Sequence, residues 1–148
     1  MSITDIDFMQ FLTQGDSLRG ISLNDSVGKL YGLLGQPIEI VGDKKAGFLH
    51  FKGLRYWYVE DEIAEMAIIF YNEDDLKFSI VNELNEEFTI SNLMFLHEFM
   101  YFLSSIPINW ECRGSKYQNG CTLIVKKKIY IEFDLETGFL RKVYVARL

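Results

Sequence analysis

The sequence predicts an α+β protein: an antiparallel sheet with helices packed on one face, made of two αβββ-like repeats. An apolar helix, a proline and a series of strand-like stretches occur once over residues 24–71 and again over 91–146, with Pro37 and Pro107 in equivalent places after the helices. LRYWYVEDEIAEMAIIF from Leu54 also aligns without a gap on IYIEFDLETGFLRKVYV from Ile129. Self-similarity on this scale marks a duplicated supersecondary unit, here expected to share one long sheet. The 148 residues are read as a single domain, 1–148, containing the two pseudo-repeats. A chain of this size buries roughly 70% of its unfolded surface, so it needs neither disulfide nor metal for stability.

Residues 5–13 suit a short helix with Ile6, Met9 and Leu12 on one side, Phe8 and Phe11 beside them, and Gly15 as its end. Asn24 is the expected cap of a second helix, in which Val27, Leu30, Tyr31 and Leu34 form one apolar face. Gly35 ends it and Pro37 prevents its continuation. An extended stretch to Val41, a turn over 42–45 and FLHF from Phe48 follow, and Lys52-Gly53 then connects FLHF to LRYWYV as a hairpin. Residues 72–87 are acidic at both ends, hold one short strand from Lys77 to Val81, and read as the linker between repeats. The third helix, starting at Ser91 or Asn92, is apolar nearly all round from Leu93 to Leu103. Such a helix is buried on more than one side, either inside the domain or at an oligomer interface, which leaves a homodimer open. Strands are expected near Ile108, Cys121, Ile129 and Phe139.

Alternate side chains of a strand face opposite sides. Ile129, Ile131 and Phe133 alternate with Tyr130, Glu132 and Asp134, which makes the first set the core. Carried to the first repeat, the same parity puts Leu54, Tyr56 and Tyr58 inside and leaves Arg55, Trp57 and Val59 on the opposite face. Glu65, Tyr71, Lys142 and Tyr144 are expected outward as well. Aromatic and arginine anchors dominate protein-binding surfaces. The expected partner-binding set is therefore Arg55, Trp57, Glu65, Tyr130, Glu132 and Tyr144, rimmed by the acidic turns Glu60, Asp61, Glu62 and Glu73, Asp74, Asp75.

No constellation of residues points to catalysis. Nucleophilic chemistry needs a base beside the nucleophile, and only His50, within a strand, and His97, within an apolar helix, are present. Cys112 and Cys121 flank the polar turn RGSKYQNG at a spacing unlike a zinc site. They are expected to be free, non-catalytic thiols. Carboxylates cluster at turns as solvated surface, and Gly32-x-x-Gly35 ends a helix where a phosphate loop opens one. No metal, cofactor or enzymatic activity is expected. The net charge of −6 argues against nucleic acid, which demands a basic surface, and suits a basic protein partner. The N-terminus MSITDIDFMQF lacks the basic start and apolar core of a signal peptide, and the most apolar segment, Leu93 to Leu103, is too short to cross a bilayer. A cytoplasmic protein without a membrane partner is expected.

The sequence Asn24-Asp25-Ser26-Val27 through Leu34-Gly35-Gln36-Pro37, followed by the Leu54 and Ile63 strands, resembles two groups. One is the small bacterial proteins of the beta-lactamase-inhibitory-protein architecture, with the barrel-assembly lipoprotein as a relative. The other is the immunity proteins of bacterial polymorphic and contact-dependent growth inhibition toxins. The second repeat departs from the pattern with Ser105-Ile106-Pro107, and no lipoprotein cysteine stands near the start, so the lipoprotein function is not carried over. What the resemblance implies is a non-enzymatic, cytoplasmic immunity protein that neutralises a cognate, basic toxin by direct binding through a sheet face. The alternative is a small-ligand-binding or sensory domain with its pocket between the third helix and the sheet.

Overall fold

In the computed structural model, which describes residues 3–114 and 121–147, the chain folds as two units, residues 1–69 with 144–148 and residues 70–143. The first unit opens with α1 (Asp5–Gln14). A capping box starts it: the Thr4 hydroxyl accepts from the Asp7 amide and the Asp7 carboxylate accepts from the Thr4 amide, while left-handed Gly15 ends it. Its buried stripe is Phe8, Phe11 and Leu12, and Ile6 is 73% exposed. The expected face is thus rotated, because two phenylalanine rings at i and i+3 bury more apolar area than Ile6 and Met9. Leu18 and Ile21 close a tight bridge after the helix, and both are buried.

The second helix, α2 (Val27–Leu34), is capped by Ser26, whose hydroxyl accepts from the Lys29 amide, and not by Asn24. Asn24 instead takes a left-handed conformation (φ 73°), which asparagine tolerates, and donates its amide to the Ile63 carbonyl. Leu30 is the helix's fully buried residue. Four antiparallel strands follow, β1 (Glu39–Gly42), β2 (Ala46–Phe51), β3 (Leu54–Val59) and β4 (Glu62–Ile69), in the order β1-β2-β3-β4. Their registers align Ile40, Leu49, Tyr56 and Met66 in one row and Gly42, Gly47, Tyr58 and Ile63 in another. Leu49, Tyr56, Met66, Tyr58 and Ile63 are buried, as the strand parity requires. The buried Tyr56 hydroxyl donates to the Leu18 carbonyl at 2.8 Å, which fixes the turn after α1 over this face. Val27 and Tyr31 of α2 border a cleft with Ile40, Leu49 and Tyr58, so α2 lies on the same side. Gly47 is obligatory, since a Cβ there would meet the Val41 carbonyl and the Tyr58 hydroxyl.

The second unit begins with a separate hairpin, β5 (Lys77–Val81) and β6 (Glu87–Ser91), inside the segment expected as a linker. Phe78, Ile80 and Ile90 are buried on one face of it, and Phe78 meets Phe70 edge to face. The third helix, α3 (Leu96–Ser104), consequently starts later than expected: Glu87–Ser91 is taken by β6, and the Ser91 carbonyl and hydroxyl hold the turn through Met94 and Leu93. Only one side of α3 is buried, through Phe99, Phe102 and Leu103, whereas Leu93, Phe95 and Tyr101 are exposed. Phe99 packs edge to face on Phe133 of the following sheet, and Phe102 lies against Phe88 of the hairpin, so aromatic rings pack α3 on both. That sheet comprises β7 (Trp110–Gly114), β8 (Cys121–Val125), β9 (Ile129–Phe133) and β10 (Leu140–Ala146), in the order β7-β8-β9-β10. Residues 115–120 of the polar turn between β7 and β8 lie outside the described residues.

In both units a helix is followed by a four-strand meander, and Pro37 and Pro107 each stand three residues after the helix end, at Leu34 and Ser104. The last hairpins differ. Glu60 and Asp61 form a tight left-handed turn (φ 50° and 68°) between β3 and β4, whereas residues 134–139 join β9 to β10. There the Asp134 carboxylate accepts the Glu136 and Thr137 amides and Gly138 is left-handed.

Candidate functional site

The face of the β1–β4 sheet turned away from its helices is built by two rows of side chains. One contains Val41, Phe48, Trp57 and Glu65, the other Glu39, His50, Arg55 and Ala67. Residues directly opposite on antiparallel strands have side chains about 5 Å apart, so each row is a set of contacts. Phe48 stacks on Trp57 with centroids 6.3 Å apart and 27° between planes. His50 tilts against Phe48 at 6.3 Å, and the Arg55 guanidinium sits over the Phe48 ring at 4.8 Å. Aromatic stacking of this type is worth about 1 kcal/mol beyond area burial, and a cation over a ring about as much again. Phe48, His50, Arg55 and Trp57 are all half-buried. The Arg55 Nε is itself buried without a hydrogen-bond partner.

Arg55, Trp57 and Val59 thus face away from Leu54, Tyr56 and Tyr58. Glu65 faces the same way as Trp57 but is only 9% exposed, so it is a buried member of the row and not an outward contact residue. Glu60, Asp61 and Glu62 are exposed, and the backbone of their turn is tied down: the Asp61 carbonyl accepts from the Val27 amide and the Ile63 amide donates to Asp25. Glu62 lies 3.9 Å from Arg147.

In the second unit, the Glu73 amide donates to the Phe70 carbonyl, Asp74 accepts from the Asn92 side chain at 2.7 Å, and Asp75 is exposed. Tyr130 and Glu132 are half-buried on the face opposite Ile129, Ile131 and Phe133, with Tyr130 beside Ile124 and Glu132 at 3.8 Å from Lys142. Tyr144 is half-buried and belongs to the first unit. The sequence-based set therefore resolves into the Arg55–Trp57–Glu65 face, two acidic turns, and the Tyr130–Glu132 pair. Phe48 and His50 were missing from it. The Lys52-Gly53 hairpin carries that information, because a two-residue connection places Phe48 opposite Trp57 and His50 opposite Arg55.

The histidines are packed on phenylalanines, His50 on Phe48 and His97 on Phe95 at 5.8 Å. Among the described residues no group of three or more His, Cys, Asp or Glu is placed to hold a metal ion. The expectation of free thiols is corrected at Cys112, which is disulfide-bonded, while the Cys121 side chain lies outside the described residues. Among the described residues, no helix is long and apolar enough to cross a membrane. Comparison of the chain with protein-family models, curated proteins and solved structures gave no match.

Proposed function

We propose that this chain is a non-enzymatic inhibitor that binds a partner protein, and that it acts as a cytoplasmic immunity protein against a basic bacterial toxin. The observation that carries this reading is the Phe48–Trp57–Arg55 cluster: two stacked rings and a guanidinium, half-buried on an open sheet face. Such groups anchor interfaces because they bury much area at little cost in side-chain freedom. Exposed carboxylates at Glu60–Glu62 and Asp75, within a chain of net charge −6, supply long-range attraction to a basic surface.

Co-expression with the toxin encoded by the neighbouring gene tests the reading. Growth is expected to be protected by the wild-type chain and lost with Trp57→Ala at equal soluble protein. A toxin that stays lethal beside the wild-type protein rejects immunity for that pair.

A further inference from the structure

The strand β1 is the outer strand of its unit, and all four of its residues are exposed. Ile38, Ile40 and Val41 are 76%, 53% and 47% exposed, a run of apolar residues interrupted by a single charge, Glu39. Edge strands are ordinarily guarded by lysines, prolines or bulges against pairing with another chain. In the second unit the outer strand β7 is guarded in this way, with Glu111 and Arg113 exposed and paired at 2.9 Å. Within β1 itself, from Glu39 to Gly42, there is no lysine or proline; Pro37 stands just before it.

The hydrogen-bond phase of β1 shows what fits it. The Asp43 amide donates to the Ala46 carbonyl, and bonded pairs alternate along an antiparallel ladder. Asp43, Val41 and Glu39 therefore turn their main-chain groups toward β2, while Ile40 and Gly42 turn theirs outward. The Ile38 amide is taken by the His50 carbonyl and Ile38 sits at a bend before the strand, so it lies outside this alternation. A second copy of the same strand, antiparallel and related by a two-fold axis at Ile40, matches this pattern. The two Ile40 residues exchange amide-to-carbonyl bonds across the axis.

Side-chain chemistry agrees with that register. Ile40 shares the side of Leu49 and Tyr56, next to the cleft of about 530 Å³ bordered by Val27, Tyr31 and Tyr58. Across the axis, Ile40 meets Ile40 and extends this apolar lining. On the other side Glu39 lies opposite Val41, so no carboxylate directly opposes its own copy.

We propose that β1 is a homodimerisation edge, pairing with β1 of a second copy about a two-fold axis at Ile40. Sedimentation and light scattering of the full chain are expected to show a concentration-dependent species of twice 17.3 kDa, lost with Ile40→Lys while circular dichroism and Tm stay those of the wild type. Register is read separately by cross-linking under mild oxidation. Ile40→Cys should form a covalent dimer in high yield, because bonded antiparallel partners lie about 5.5 Å apart at Cα, within disulfide range. Glu39→Cys, offset from its own copy, should cross-link poorly. A wild-type chain that is monomeric at every concentration overturns the proposal and leaves the edge to a different protein. A dimer that survives Ile40→Lys, or that cross-links equally at both positions, overturns it as well. None of these outcomes depends on toxin binding.

Discussion

Phe48 lies directly opposite Trp57 in the β2–β3 ladder, and the two rings stack on the face of the sheet that carries no helix. A half-buried stack held from below by the sheet and flanked by Arg55 and His50 is pre-organised for contact, since little side-chain freedom remains to be lost. Trp57→Ala is expected to weaken the complex by about 2 kcal/mol, roughly a 30-fold faster dissociation with association nearly unchanged. The free protein should lose about 1 kcal/mol from the broken stack together with the burial term of a half-buried ring. Surface plasmon resonance against the cognate toxin, alongside thermal melts, separates the two effects. An unchanged dissociation rate removes this face from the interface.

The acidic turns are expected to act on encounter. Asp75→Lys is the cleanest charge reversal, because Asp61 needs its left-handed backbone and Asp74 holds Asn92. Association should slow several-fold at low ionic strength, and the difference should shrink in high salt as screening shortens the reach of the charge. Stopped-flow association rates at two salt concentrations check this, and a salt-independent defect points to a direct contact instead.

Much of the scaffold is legible in the sequence because strand parity and helix stops are local rules. Leu54, Tyr56 and Tyr58 alternate inward, Gly15 ends α1, and Pro37 and Pro107 follow their helices by the same interval. Contextual competition hides the rest. Ser26 and Asn24 are both good caps, and only the tie between Asn24 and Ile63 decides between them. EFTIS before α3 reads as a helix approach until Lys77–Val81 recruits it as a hairpin partner. At the candidate site, parity alone gives the direction of Glu65 but not its burial, which is set by the tertiary packing around the strand.

Asp25 should give the first unit a measurable acid sensitivity. Its carboxylate accepts the Ser22 amide at 2.8 Å and the Lys29 ammonium at 2.9 Å, and these bonds hold its pKa below the usual aspartate value. A lowered folded-state pKa means stability that is fully present above the unfolded value, near 3.9, and is lost as pH falls through the folded value. Asp25→Asn is expected to cost about 1 kcal/mol at neutral pH, allowing for solvent screening of a partly exposed pair. The gap between variant and wild type should close below about pH 4. Urea melts across that range test it, and a gap constant with pH would trace the loss to packing.

The bond at Cys112 makes the hairpin of β7 and β8 sensitive to redox conditions. The chain has one other cysteine, Cys121, so under non-reducing conditions the intact protein should weigh two hydrogens less than its reduced form and resist alkylation after unfolding. Closing a loop of this length lowers the entropy of the unfolded chain, which corresponds to a stabilisation of about 2–3 kcal/mol when the native geometry is unstrained. Cys112→Ser should therefore lower Tm in oxidising buffer and match the wild type once reductant is present. The comparison also bears on compartment, because a reducing cytoplasm keeps thiols open. If the protein isolated from its native cell under thiol-trapping conditions carries two alkyl groups, it works there in the reduced form, and the stabilisation from the bridge is absent during function. If it carries none, the cytoplasmic assignment within the proposed function has to be abandoned.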